Sequence, residues 1–434
     1  MGFLRGFSVA MGANIIVFVL SFFNNKLIYL FLPETDNGIF FLMLRYSMFM
    51  VLLLGEWLRL SDMNVAGKDK NLVPVLSANG LWFSAAIILL AVPAAFVCFH
   101  IKGEIFGIPA RILPIVFIVA AFLMARNNWQ SLLLVRQRMF SYGFSFILWA
   151  SVFLALDLLF LVVFKYGLYY VILALVVASL ASALWSFGAI IAGRDHTFLP
   201  SLRVFGMSGR IGVRAWIASL GMFLMTNIHV FTLKPLAGAG AEGLVMVAMF
   251  SVGFRIFSLF QRASSIAGTV LYSHVVQQDD KQSSRLTMLV TRNIMLLSVI
   301  FGIIAAVTGK IIIIIVASTR YLPAYIPVLL MLPGIVAVNV GSVINSYYWG
   351  RTYQTNVIAV PYIATIAGAI LNLLLVPRFG ISGAALSFSV MSVAWLAYQS
   401  IRFSRDTGLS STDILVPRYA DILRLVEKIT FRTK

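Results

Sequence analysis

Residues 356–403 read NVIAVPYIATIAGAILNLLLVPRFGISGAALSFSVMSVAWLAYQSIRF. Two apolar stretches are joined by Pro377-Arg378-Phe379-Gly380, and the second opens on Ile381, Gly383, Ala384 and Ala385. About 20 apolar residues at 1.5 Å rise cross a hydrocarbon layer of roughly 30 Å. The stretch therefore predicts a hairpin of two membrane-spanning helices. The proline ends the first limb, the glycine frees the backbone to turn, and the small residues that follow admit another helix at close range.

The same pattern runs along the whole chain. Of 434 residues, 61% are hydrophobic and 11% charged, whereas a soluble domain is apolar in about half of its positions. The apolar runs are continuous, unlike the alternating ~10-residue strands of a membrane barrel. Spans are predicted at about 6–32, 39–60, 76–99, 110–134, 143–164, 168–192, 213–234, 244–270, 286–308, 322–348, 355–376 and 382–403. Isoleucines 311–315 are too few to cross again and form either the end of the ninth span or a short interfacial piece. The first run is long and is followed at once by another, so it reads as a retained helix and not a cleaved signal. The fold class is all-α, a polytopic membrane protein of about twelve helices.

The net charge of +18 would suit a nucleic-acid partner if the basic residues were clustered, but they sit at helix ends. Arg59, Lys68, Lys70, Arg126, Arg136, Arg138, Arg194, Arg203, Arg210 and Arg214 fall on one side. So do Arg5, the basic residues from Arg262 to Arg292, Arg351 and those of the tail. The other side holds only Lys102, Arg111, Lys165, Lys234, Lys310, Arg320 and Arg378. The richer side is cytoplasmic by the positive-inside bias, which places both termini there. Membrane lipids are the expected contact of this basicity, and nucleic acid is not.

Two segments recur. Asn25-Lys26 with Pro33 and Gly38 parallels Asn227 with Pro235 and Gly243, and Lys165-Tyr166-Gly167 with Trp185 parallels Arg378-Phe379-Gly380 with Trp395. These imply two six-helix lobes, 1–200 and 201–405, related by a pseudo-two-fold along the membrane normal with the substrate path between them. Residues 406–434 follow as a tail. Leu415, Tyr419, Ile422, Val426 and Ile429 recur there at helical spacing among basic residues, predicting an amphipathic helix on the inner leaflet.

No glycine-lysine phosphate loop, no spaced histidine cluster and one cysteine, Cys98, leave no expected cofactor or metal. No connection is long enough for a catalytic domain, so an enzyme is not expected. What remains are polar groups inside the spans. Lys26 lies roughly 9 Å and Arg45 roughly 10 Å below the outer ends of their helices, and Arg255 roughly 17 Å into the eighth. A cation at the bilayer centre costs about 2.5 to 3.5 kcal/mol on insertion scales, so Arg255 must line water or a partner.

Ser251, Arg255, Ser258 and Arg262 share one helix face, a polar stripe suited to an anionic substrate. Lys26 equally suits the outer interface, and Arg45 a structural pair with Asp157 or Glu56. Asn25 and Asn227 suit either the path or a helix–helix bond, and Asp157 and His229 are candidate coupling groups. Tyr347, Tyr348 and Trp349 read as an interfacial belt.

Asn372 inside an apolar helix, then Leu373-Leu374-Leu375-Val376-Pro377-Arg378-Phe379-Gly380 and Gly383-Ala384-Ala385, resembles the penultimate turn of the Wzx-type polysaccharide flippases. These belong to the multidrug/oligosaccharidyl-lipid/polysaccharide exporter (MOP) superfamily. Arg320-Tyr321-Leu322-Pro323-Ala324 and Ser346-Tyr347-Tyr348-Trp349-Gly350-Arg351 stand where that family has similar elements. Family members often have glycine three residues before that tyrosine, where this chain has Ser318.

The resemblance covers about residues 310 to 405, and the first two spans more weakly. It implies a bacterial inner-membrane flippase that moves a polyprenyl-pyrophosphate-linked oligosaccharide for O-antigen or lipopolysaccharide synthesis to the periplasmic leaflet by alternating access. H+ or Na+ coupling and polysaccharide-assembly proteins as partners go with it. A drug or cation antiporter of the same superfamily would need an acidic cavity, and a polysaccharide polymerase or ligase a large outward loop.

Overall fold

A computed structural model describes residues 2–101, 103–238, 240–277, 279–351 and 355–416. The chain is a multi-pass membrane protein. Eleven of its described helices are long and apolar enough to cross a membrane. They are α1 (Gly2–Phe31), α2 (Glu34–Lys68), α3 (Val73–His100), α4 (Leu113–Val135), α5 (Met139–Asp157), α6 (Leu168–Ala192), α7 (Leu202–Leu236), α8 (Ala241–Gln277), α9 (Asp280–Val316), α10 (Tyr325–Arg351) and α11 (Thr355–Thr407). A short α12 (Ser411–Leu415) follows.

α11 is two spans in one. Gly380 stands at φ 55°, ψ −133°, outside helical space, and divides it into limbs 355–379 and 381–407. That backbone is open to glycine and strained for any other residue. A Cβ on Gly383 would strike the Leu375 carbonyl oxygen, so the small residue after the turn lets the limbs close on each other. The predicted hairpin and the twelve spans are both present, and α9 runs unbroken through isoleucines 311–315.

The other helix ends follow the same logic. Pro33 separates α1 from α2, whose first turn carries Glu34 and Asp36 against the positive end of the helix dipole. Asn37 donates through Nδ2 to the Ile28 and Leu32 carbonyls, at 3.4 and 3.3 Å, closing the end of α1. Proline opens α3 and α4. One connection holds structure the pattern did not announce: β1 (Glu104–Ile105) pairs antiparallel with β2 (Ile108–Pro109), and Tyr46 Oη donates to the Phe106 carbonyl at 2.8 Å.

The chain divides into two compact units. The first comprises 1–223, 239–248 and 316–318, and the second 224–238, 249–315 and 319–434. In the first, α1 packs on α5, and α4 is surrounded by α2, α3 and α6. Its core includes Val65, Leu76, Trp129, Leu132 and Ile190. Three helices meet at a buried polar node, where Asn128 Nδ2 donates to Asp62 Oδ2 at 2.8 Å and Ser208 Oγ to Asp62 Oδ1 at 2.7 Å.

The long basic connection after α6 is held on this unit. Asp195 pairs with Arg136 and, at 3.1 Å, with Arg138. His196 Nδ1 meets Ser77 Oγ at 3.0 Å, and Asn79 exchanges hydrogen bonds with the Ser201 backbone at 2.8 and 3.2 Å.

In the second unit α10 lies along α11. Gly341 makes room for the Trp395 ring, which is 2% exposed. Tyr347 and Tyr348 are not an interfacial belt. They are buried against Phe403, and Tyr348 Oη donates to Asp406 Oδ2 at 3.0 Å, because a kinked α11 brings its far end back over α10. Ile414 of α12 is buried in the same core, so the tail begins docked on protein. The predicted amphipathic helix beyond residue 416 lies outside the described residues.

Candidate functional site

In the first unit one buried carboxyl is Asp157. It is the last α-helical residue of α5, and the chain continues from it as a π-helix over Leu158–Val163. A π segment takes an extra residue per turn and so re-aims the side chains around it. Asp157 is fully buried, and its carboxyl meets the side chain of Asn24 on α1. No cation among the described residues pairs with it. Asn24, 3% exposed, is the inward asparagine of α1, whereas its neighbour Asn25 is half-buried. Adjacent helical residues point about 100° apart, which is why the repeat match alone did not separate them.

Lys26 is half-buried on α1. Arg45 on α2 places its guanidinium carbon 4.8 Å from the Phe41 ring centre, with Nη1 3.9 Å from Met48 Sδ. Neither carboxylate proposed as its mate is used: Glu56 is chelated by Arg59, with Nε donating to Oε2 at 2.9 Å, and Asp157 faces Asn24.

One further cation lies inside a span. Arg126, counted with the inner-side charges although it falls within the predicted 110–134 span, is inside α4, and no carboxylate among the described residues pairs with it. Its guanidinium carbon lies 5.3 Å from the Phe146 ring centre and 5.9 Å from that of Trp149. The aromatics spaced by four and three on α5 were the available signal.

In the second unit Ser251, Arg255 and Ser258 lie on α8. Ser251 is 2% exposed, while Arg255 and Ser258 are half-buried. Ser258 Oγ donates to the Arg255 carbonyl at 2.8 Å, and the buried Arg255 Nε has no hydrogen-bond partner among the described residues. No carboxylate among the described residues pairs with Arg255. Phe254 and Phe257 occupy the adjoining face and pack on Phe388 at 6.4 and 5.9 Å. The side chain of Arg262 lies outside the described residues.

His229, fully buried on α7, belongs to a chain of polar contacts. Its Nδ1 is 3.1 Å from Asn372 Oδ1, Asn372 Nδ2 donates to Thr232 Oγ1 at 2.6 Å, and Thr232 donates to the Ile228 carbonyl at 2.8 Å. Asn372 donates to Thr232 and accepts from the ring, which puts the proton on Nδ1 and leaves Nε2 without a partner among the described residues. Phe388 meets the ring edge-on at 5.6 Å. Asn372 was visible as a lone amide in an apolar run but had no assigned partner. Asn227, 3% exposed, donates through Nδ2 to Thr226 Oγ1 at 3.1 Å, a local helix contact.

These features sit on a fold seen before. The chain superimposes on the inward-facing conformation of a multidrug resistance MATE family transporter of the MOP superfamily with a TM-score of 0.67 at 14% identity, covering 93% of this chain and 99% of that one. Against the lipid II flippase MurJ in its inward closed conformation the TM-score is 0.69 at 15% identity, over 94% and 91% of the two chains. A MOP superfamily transporter from Pyrococcus furiosus, described as having a binding pocket of reverse polarity, gives 0.67 at 14% identity over 93% and 95%. The chain thus has the two-lobed, twelve-helix fold of these transporters. No family model matches the sequence, and no curated protein matches it.

Proposed function

We propose that this protein is a flippase of a bacterial inner membrane. It carries a polyprenyl-pyrophosphate-linked oligosaccharide from the cytoplasmic to the periplasmic leaflet by alternating access, with both termini in the cytoplasm. The observation that carries this reading is Arg255: a guanidinium well inside a membrane-spanning helix, half-buried, with no carboxylate partner among the described residues. Such a charge is tolerated where it meets water or an anionic ligand, and a pyrophosphate offers two or more negative charges in the geometry guanidinium recognises. Half-buried Ser258 adds a hydroxyl oxygen that can accept from a sugar, and Lys26 and Arg45 add cations on α1 and α2. The fold shared with a lipid II flippase, whose cargo by name is a lipid, agrees with this.

Asp157 and His229 are the coupling groups in this reading. A carboxyl sealed beside a neutral amide is stable when it holds a proton or a sodium ion and costly when bare. The chain breaks no bond, and polysaccharide-assembly proteins receive its product.

The antiporter alternative draws on the same Asp157, because a buried acid also suits an organic cation. Proteoliposomes separate the two. Translocation of a fluorescent lipid-linked oligosaccharide, lost in Arg255→Gln and kept in Asp157→Asn at a reduced rate, supports the flippase. Uptake of an organic cation that is indifferent to Arg255→Gln and abolished by Asp157→Asn supports the antiporter.

A further inference from the structure

Tyr142, Phe146 and Trp149 follow one another on α5 at spacings of four and three, so the three rings line one face of the helix. All three are half-buried. Trp149 is held in place by its Nε1, which donates to Ser179 Oγ of α6 at 3.3 Å. Arg126 lies over this wall at the ring distances given above. Its only hydrogen bonds among the described residues run to the neighbouring Asn127 Oδ1, from Nη2 at 3.2 Å and Nε at 3.4 Å. Tyr142 stands within electrostatic reach of both Arg126 and Arg59.

Arg126 and Arg59 are both half-buried and keep solvent-accessible surface, 30% for the Arg59 side chain. The charges also do not cancel, because Glu56 answers Arg59 and no carboxylate among the described residues answers Arg126. A cation–aromatic contact offsets part of the cost of holding a guanidinium in the membrane, but it leaves the positive charge and the outward N–H groups for a ligand.

We infer that Arg126, Arg59 and the Tyr142–Phe146–Trp149 wall form a binding site in the first unit for the diphosphate and adjoining sugar ring of a lipid-linked glycan. Arg126 takes the phosphate oxygens, Arg59 lends field across Tyr142, and the flat rings meet the apolar face of the sugar. The inference rests on the flippase reading and supplies it with a headgroup subsite. A phosphodiester headgroup of an anionic phospholipid carries part of the same chemistry, so the test must separate the two.

The full chain is reconstituted in phosphatidylcholine nanodiscs and titrated calorimetrically with a short-chain prenyl diphosphate N-acetylglucosamine. Inorganic pyrophosphate and phosphatidylglycerol-doped discs are the comparison arms. Binding should weaken roughly ten- to a hundredfold in Arg126→Gln and less in Arg126→Lys, as loss of a charge-assisted contact implies. Pyrophosphate should bind more weakly than the glycosyl probe, and phosphatidylglycerol should not displace it. The probe should quench tryptophan emission in the wild type, with that change missing in Trp149→Phe.

Equal affinity in Arg126→Gln and wild type overturns the site, as does displacement by phosphatidylglycerol. Failure of the charge-conserving Arg126→Lys to bind better than Arg126→Gln also overturns it. If Arg126→Gln binds normally while Arg255→Gln stops translocation, the subsite is wrong and the flippase stands; if neither variant impairs translocation, the flippase reading fails as well.

Discussion

Asn24 of α1 faces Asp157 of α5 at the residue where α5 passes into a π-helix, and the two side chains are almost wholly buried. An amide can hydrogen-bond a carboxyl in either protonation state but cannot neutralise it, so a proton or small cation must do so. Asp157→Asn keeps the volume and a partner for Asn24. The variant should fold, with a Tm within a few degrees of wild type, and its transport should cease to respond to an imposed proton or sodium gradient. Gradient-dependent transport in proteoliposomes checks this, and a full response in the variant would move the coupling role to His229.

The Asp62 node makes a stability prediction. Two neutral donors, Asn128 and Ser208, serve one buried carboxyl. Removing either by Asn128→Ala or Ser208→Ala should cost about 1–3 kcal/mol, the penalty of an under-served buried polar group. Thermal unfolding in detergent should show a lowered Tm for each. The loss from Ser208→Ala should shrink in an Asp62→Asn background, where the acceptor no longer carries a full charge.

His196 sets a pH dependence outside the membrane spans. Burial beside Phe187 and Phe198 holds its imidazole below the ordinary value, so the folded state binds a proton less readily than the unfolded chain. Its contribution is intact at pH above the unfolded value near 6.5 and is lost progressively as pH falls from there toward the lower folded value. The Tm of the wild type should drop between pH 7.5 and 5, and His196→Gln should remove part of that drop. A pH profile identical in the two proteins would contradict the assignment.

At the hairpin, Gly380→Val should cost about 1–3 kcal/mol because its φ of 55° is a strained setting for a branched residue. Gly341→Leu should cost a similar amount, about 1–3 kcal/mol, by driving a side chain into Trp395. Both should appear as lower Tm and reduced yield of folded protein. A wild-type Tm in either would show that the turn or the α10–α11 contact has slack.

The hairpin and the spans were legible because hydrophobic length, proline and glycine act locally. The stripe Ser251, Arg255 and Ser258 was legible for the same reason, since helix periodicity alone places it. The partners were not. Arg45 was matched to Glu56 by charge, but Arg59 lies three residues further along the same helix and takes it first. Tyr347 and Tyr348 were assigned to an interface by residue type, and only the folded-back α11 buries them. Arg126 fell within the predicted 110–134 span but was grouped with the inner-side arginines, because only the packing of α5 shows the aromatic rings beside it.

The most direct test of the cationic path uses the single native cysteine, Cys98. In a Cys98→Ser background, Arg255→Cys is exposed to a membrane-impermeant, water-soluble thiol reagent in inverted and right-side-out vesicles, with and without lipid-linked oligosaccharide. A water-lined Arg255 position requires modification of the new cysteine and its protection by the oligosaccharide. An unreactive cysteine, or modification that the oligosaccharide leaves unchanged, would contradict it.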